Sequence, residues 1–235
     1  MNDRDDLNRY FRQQAELFPE DFYIPPEQKA SRVNESSDMT DYSPEIPSYE
    51  PQVEGDLSAY EEQINQCKRC RLGESRINFV FGVGSPDADL MFIGEAPGQQ
   101  EDEQGEPFVG RAGKLLDKIL AAIGLKRDEV FIANVLKCRP PNNRDPKPDE
   151  IEECEPYLVQ QIQMIQPKVI IALGRIAANT LLKESMALRD MRNKTWNYHG
   201  TDLVATYHPA ALLRNPGLKR PAWEDFQRIQ QKYLD

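Results

Sequence analysis

From residue 89 onward, four short apolar runs break the chain at intervals: "DLMFIG" (89–94), "VFIANVL" (130–136), "KVIIAL" (168–173) and "LVATY" (203–207). None of them alternates apolar with polar, so each reads as a strand buried on both faces. The intervening segments "AGKLLDKILAAIG", "DEIEECEPYLVQQIQMI" and "RIAANTLLKE" carry apolar residues at helical three- and four-residue steps. Strand and helix therefore alternate. That pattern predicts an α/β fold with a mostly parallel sheet, helices on both faces, and ligands at the carboxyl ends of the strands.

The beginning of the chain follows other rules. In "DLNRYFRQQAELF", Leu7, Tyr10, Phe11, Gln14, Leu17 and Phe18 fall at helical steps, predicting an amphipathic helix within residues 1–18. From 19 to 56 Pro, Ser and acidic residues dominate and apolar spacing is lost, so this stretch reads as an acidic disordered linker. Residues 57–235 then form the folded domain. No repeat with a period of about 20 to 50 residues is visible.

Charge changes the picture only once it is located. The net charge of -10 sits poorly with a nucleic-acid partner, but residues 1–56 hold 14 acidic against 5 basic residues, leaving 25 acidic and 24 basic in the rest. The body is thus nearly neutral, and the total says little about any one of its faces. No run approaches the roughly 18 to 20 apolar residues of a membrane helix, and the first thirty residues do not look like a secretory signal. A cytoplasmic monomer is expected. Four cysteines in 235 residues are too few for a disulfide framework.

Those cysteines stand as Cys67-x2-Cys70 and Cys138-x15-Cys154. Such a set suits a tetrahedral thiolate site for zinc or an iron-sulfur cluster. The open second pair favours a cluster without deciding it, and four ordinary buried cysteines are the plain alternative. Arg69, Arg71, Lys137, Arg139 and Arg144 lie around them in sequence, either solvating the site or forming a cationic face for phosphates.

Candidate ligand residues follow the strands. After the first comes "GEAPGQQEDEQGEPFVGRAG" (94–113), five glycines in twenty residues, read as a tight loop where backbone approaches a ligand. Its spacing matches neither a P-loop nor a dinucleotide fingerprint. Glu95, at the mouth of the strand, is the carboxylate placed in the cleft; Glu101, Asp102 and Glu103 also fit a solvated loop. Asn134, inside an apolar strand, needs partners for its amide: neighbouring backbone, or the edge of a bound base. His208 ends the last strand, where an imidazole can stabilise a developing anion. Gly174 and Arg175 open a helix that can hold a phosphate. Leu212, Leu213 and Arg214 read either as the tips of a DNA-unstacking loop or as one helical turn packed on the core.

Taken together, "CKRC", "GEAPGQQED", "GEPFVGRAG", "ANVLKCRPPNNRDP", "ALGRIAANTLL" and "TYHPAALLRNP" resemble family 4 uracil-DNA glycosylases, in unbroken order over roughly residues 60 to 228. The resemblance implies a three-layer α/β/α sandwich around a four-stranded parallel sheet. It also implies a 4Fe-4S cluster on Cys67, Cys70, Cys138 and Cys154. It implies a uracil pocket in which Phe108 stacks on the base, Asn134 reads its Watson-Crick edge and His208 faces its O2. Gly94, Glu95, Ala96, Pro97 and Gly98 would form the water-side loop, with Glu101 beside the substrate. Arg139, Gly174, Arg175 and residues 212–214 would meet DNA. The implied activity is hydrolysis of the N-glycosidic bond of flipped-out uracil in DNA.

Three rivals differ from this in kind. Relatives that become covalently trapped carry a His-bearing insertion, whereas residues 137–153 contain no His. A non-catalytic polymerase-associated module has no need of Glu95, Phe108, Asn134 and His208 in combination. An electron-transfer protein would use the cysteines and leave the pocket unexplained. Separately, "QAELF" (Gln14–Phe18) resembles the short peptide by which bacterial repair proteins engage the sliding clamp; the plain reading is a helix packed on the body.

Overall fold

A computed structural model describes residues 56–234. The amphipathic helix at 1–18 and the linker at 19–56 lie outside the described residues, except for Asp56. The Asp56 carboxylate accepts the backbone N–H groups of Ser58 and Ala59, both at 3.0 Å, and so caps helix α1 (Leu57–Ile64).

Four strands run parallel, as their apolar character predicts: β2 (Leu90–Gly94), β3 (Phe131–Asn134), β4 (Val169–Leu173) and β6 (Thr201–Thr206). The sheet nevertheless has six strands, in the order β1-β3-β2-β4-β6-β5. The two additions are antiparallel edges. β1 (Val83–Gly84) lies on β3 and β5 (Trp196–Tyr198) on β6. At two and three residues, neither is long enough to display a period of its own.

Alternate side chains of each inner strand enter opposite cores. Met91 and Ile93 join Ala133, Ile170 and Ala172 beneath helices α5 (Pro148–Ile165) and α6 (Arg175–Leu182). Leu90 and Phe92 join Ile132, Val169 and Ile171 beneath α4 (Arg111–Ala122) and α9 (Lys219–Tyr233). Each buried Phe, Ile, Leu or Met contributes about 1.5–3 kcal/mol of transfer free energy. The result is the expected sandwich of three layers.

The segment read as one tight loop, 94–113, contains a helix. α3 (Gln99–Gln104) starts at Gly98 and ends at Gly105, whose φ of 80° terminates the turn. Its Gln and Glu residues are good helix formers, but six polar residues give no apolar stripe. Asp102 is buried at 3% exposure, not solvated, because its carboxylate accepts the Ile77 and Asn78 N–H groups.

Behind β6 a buried ion pair fixes α9. Asp225 accepts two bonds from Arg192, at 2.7 and 3.0 Å, another from Thr206 at 2.7 Å, and one from Arg228. Removing one member of such a buried pair typically costs about 3–5 kcal/mol. Among the described residues no helix is long and apolar enough to cross a membrane.

Candidate active site

In the sheet register Gly94 stands opposite Asn134, and Leu173 opposite Thr206. β2 is also where the strand order reverses: the chain passes from β2 to β3 on one side and then crosses over to β4 on the other. Ligands of open α/β sheets bind at such a point, and four candidate residues meet there. A Cβ on Gly94 would lie 2.4 Å from Asn134 Oδ1 and 2.7 Å from Phe108 Cζ. The absent side chain thus lets an amide and an aromatic ring both close on the Gly94 backbone.

Asn134 is only 2% exposed, yet no donor or acceptor among the described residues bonds its side-chain amide. Among the described residues no fully sealed side-chain polar atom lacks a partner, so the unbonded Asn134 amide is not fully sealed. This disposes of the alternative of an amide satisfied by neighbouring backbone.

Phe108 adopts a left-handed conformation, φ 54°, which is unfavourable for a bulky residue. Two features hold it there. Glu101 Oε1 accepts the N–H groups of Val109 and Gly110, each at 3.0 Å. Gly113 lets its backbone lie against the Phe108 carbonyl, where a Cβ would come within 1.6 Å. Glu101 therefore positions the Phe108 turn, and its bonds go to backbone.

His208 stacks against Phe108, ring centroids 5.3 Å apart at 29°. Its Nδ1 accepts the Ala210 N–H at 3.0 Å, capping helix α8 (Pro209–Arg214). In the neutral ring the proton consequently sits on Nε2. Burial, reinforced by the Arg214 charge, lowers the His208 pKa to about 4, so the ring is a neutral donor at pH 7. The backbone at Gly174, φ 96°, passes close by: a Cβ there would lie 3.0 Å from the His208 Cβ.

Glu95 is half-buried after β2. Burial, with the Asp145 carboxylate adding and Arg175 opposing, pushes its pKa up to about 7. Ala96 packs against the core, Pro97 is buried, and Gly98 leads into α3. Arg175 is exposed at the start of α6, and Arg139 is half-buried with its Nε on Asn143 Oδ1 at 2.7 Å. Leu212, Leu213 and Arg214 form a helical turn and not a loop. Leu212 is buried at 2% and belongs to the core, whereas Leu213 is 38% exposed and Arg214 lies beside it on the surface.

The four cysteines, all free, line one small cavity with Gly73, Phe79 and Tyr157. Their sulfurs receive donors: Tyr157 Oη on Cys67 at 3.2 Å, Arg76 Nη1 on Cys138 at 3.3 Å, and the Lys137 N–H on Cys154 at 3.2 Å. Such contacts suit thiolates. Four thiolates around one zinc would stand roughly 3.8 Å apart, from a Zn–S bond of about 2.3 Å. Among the described residues no three cysteine, histidine or acidic groups gather closely enough to hold a single ion. The four sulfurs nevertheless share one cavity. Burial pushes the Cys154 thiol up to about 12 and raises Cys138, so both favour the neutral thiol.

The cationic face expected around the cysteines is smaller than the sequence suggests. Lys137 is fully buried, Arg144 is paired with Glu150 at 2.5 and 2.8 Å, and Arg69 with Glu153 at 2.7 Å. Sequence reasoning passed over Asp145, Arg76 and Tyr157. Only Tyr157 had a signal, three residues after Cys154 on one helix face.

Residues 81–227 match the uracil DNA glycosylase superfamily. A type-4 uracil-DNA glycosylase of Sulfurisphaera tokodaii is 47% identical over 184 residues, 74% of this chain and 84% of that protein. Type-4 enzymes of Archaeoglobus fulgidus and Saccharolobus solfataricus are each 46% identical, over 71% and 74% of this chain and 88% and 85% of their own lengths.

The Glu95 environment gives a pH prediction. A carboxyl whose folded pKa rises from 4.5 to about 7 favours the folded state fully below 4.5, and that contribution is lost as pH rises through 7. By carbon NMR the Glu95 carboxyl should titrate near 7, and Asp145→Asn should lower the midpoint. A wild-type midpoint in the ordinary carboxylate range would show that burial does not act as described.

Proposed function

The chain belongs to the uracil DNA glycosylase superfamily, in its type-4 branch, and from that premise we propose that the strand end where Gly94, Phe108, Asn134 and His208 meet receives uracil flipped out of DNA for hydrolysis of its N-glycosidic bond. The unbonded, buried Asn134 amide carries this reading. Uracil offers O4 as acceptor and N3–H as donor, which one fixed amide meets with its own donor and acceptor; cytosine presents the reverse pattern. The Phe108 ring supplies the stacking surface.

Bond cleavage leaves negative charge on uracil and positive charge on the sugar. Neutral His208, with its proton on Nε2, is a donor toward O2 as that charge develops, and it need not lose a proton to act. Glu95, in its ionised form, orients water and stabilises the cationic sugar. The water oxygen bonds to C1′ of the sugar, its proton passes to the carboxylate, and the pair of electrons of the broken bond leaves with uracil. The products are free uracil and an abasic site. Arg139, Gly174 and Arg175 would contact phosphates, and Leu213 with Arg214 would fill the vacated stack from the rigid base that buried Leu212 supplies.

Cys67, Cys70, Cys138 and Cys154 would hold a 4Fe-4S cluster. It joins the segment before β1, the loop after β3 and helix α5, and its contribution is structural. The Gln14–Phe18 peptide would tether the enzyme to a sliding clamp, a reading supported by its sequence alone.

Asn134→Asp should slow single-turnover uracil release by about tenfold to a hundredfold, the cost of a mismatched buried partner, while DNA affinity changes little. Equal losses in both assays would refute the base-reading role. A denaturing gel of the same reactions should show no covalent protein-DNA band; such a band without free uracil would assign the chain to the trapping mode. For the tether, a clamp pull-down should weaken on replacing Leu17 and Phe18 together by Ala, and equal retention would eliminate it.

A further inference from the structure

Just before His208, the last inner strand ends on a closed polar network. Arg192, after the short helix α7 (Leu188–Met191), and Asp225, on α9, have side chains only 9% and 4% exposed. The guanidinium of Arg192 serves three partners at once. Its Nε and Nη2 donate to the two Asp225 oxygens at 2.7 and 3.0 Å, Nη2 also donates to the Pro221 carbonyl at 2.6 Å, and Nη1 donates to Tyr207 Oη at 3.2 Å. Arg192 Cζ also lies over the Tyr207 ring, 4.6 Å from its centroid. One side chain thus holds the tyrosine by its hydroxyl and by its ring.

Asp225 carries the network one residue further back. It accepts Thr206 Oγ1 at 2.7 Å, from a side chain with no exposure. The Thr206 carbonyl is held from the neighbouring strand end by the Gly174 N–H at 2.8 Å. The two residues that precede His208 are therefore tied down by side chain and backbone together. A buried ion pair is a poor device for stability alone, since apolar residues of similar volume often serve as well; fully bonded, it fixes geometry.

We propose that Thr206, Tyr207 and Arg192 are positioning residues: the Arg192–Asp225 pair holds the Thr206–Tyr207 step and thereby sets where the His208 ring presents Nε2. The proposal rests on the reading of His208 as the donor toward uracil O2. A donor stabilises developing charge only when it is aimed beforehand. His208 is joined to Tyr207 by a single peptide bond, so play at Tyr207 becomes play at Nε2.

The test uses full-length protein and three mild substitutions. Tyr207→Phe removes the hydroxyl and keeps the ring, Thr206→Val removes Oγ1 at nearly equal volume, and Arg192→Lys keeps the charge beside Asp225 without the fork that reaches Tyr207. Each should slow single-turnover uracil release by roughly tenfold, the scale of one lost bond, with DNA affinity held within about twofold. Thermal melting confirms that the protein assayed is folded. Nitrogen-proton NMR of the imidazoles should show the His208 signals displaced, while those of His199, the other histidine of the chain, stay in place.

Wild-type release with unmoved His208 signals, from folded variants, would overturn the proposal. Slower release with His208 unmoved would overturn the route through that ring, and displaced signals with wild-type release would overturn its part in the reaction. If Arg192→Lys does not fold, Tyr207→Phe and Thr206→Val decide. Wild type that releases no uracil would instead defeat the uracil reading, and the NMR signals would still show whether the network sets the ring.

Discussion

Parallel pairing of β2 with β3 sets Gly94 against Asn134, and the rest of the site depends on that register. A slip of one residue would turn the amide to the other face of the sheet. The register is secured by what surrounds it. Both faces of these strands are buried in separate cores, and the pairing continues past the strands through the Val135 N–H on the Gly94 carbonyl, 2.9 Å, and the Leu136 N–H on the Glu95 carbonyl, 3.1 Å. With no side chain, Gly94 lets the unsatisfied amide and the Phe108 ring approach its backbone together.

Around this strand end, residues of one chemical type perform different work. Glu95 is held near neutrality by burial and a second carboxylate, while Glu101 spends its oxygen on two backbone N–H groups that fix the strained Phe108 turn. His208 caps a helix with one nitrogen and thereby fixes the tautomer that presents the other as a donor. The cysteine cavity stands behind the same strand, connected through Lys137. Pocket and thiolate site are therefore parts of one framework.

The inner strands were legible because burial on both faces leaves uninterrupted apolar runs. Edge strands of two and three residues, and the polar helix α3 between two glycines, leave no such trace. Among site residues, Gly94, Asn134 and His208 declare themselves by standing at strand ends. The direction in which a side chain points is not written in sequence, which is why Lys137 read as part of a cationic group around the cysteines and why Leu212 fitted either an exposed tip or a core position. Asp145 acts on Glu95 from 50 positions away in sequence, a proximity that only the fold creates.

The central claim is that a base binds at the strand end where Asn134 and Phe108 close on Gly94, and Gly94→Ala tests it directly. Its Cβ would stand 2.4 Å from Asn134 Oδ1 and 2.7 Å from the Phe108 ring, so it would displace both of the groups proposed to hold the base. Single-turnover assay on a uracil-containing oligonucleotide, with thermal melting and DNA affinity measured on the same preparation, should show release of uracil reduced by at least roughly a hundredfold in a folded, DNA-binding protein, the scale set by a misplaced reacting group. Release at the wild-type rate from that variant would contradict the account, because the base would then have to bind elsewhere.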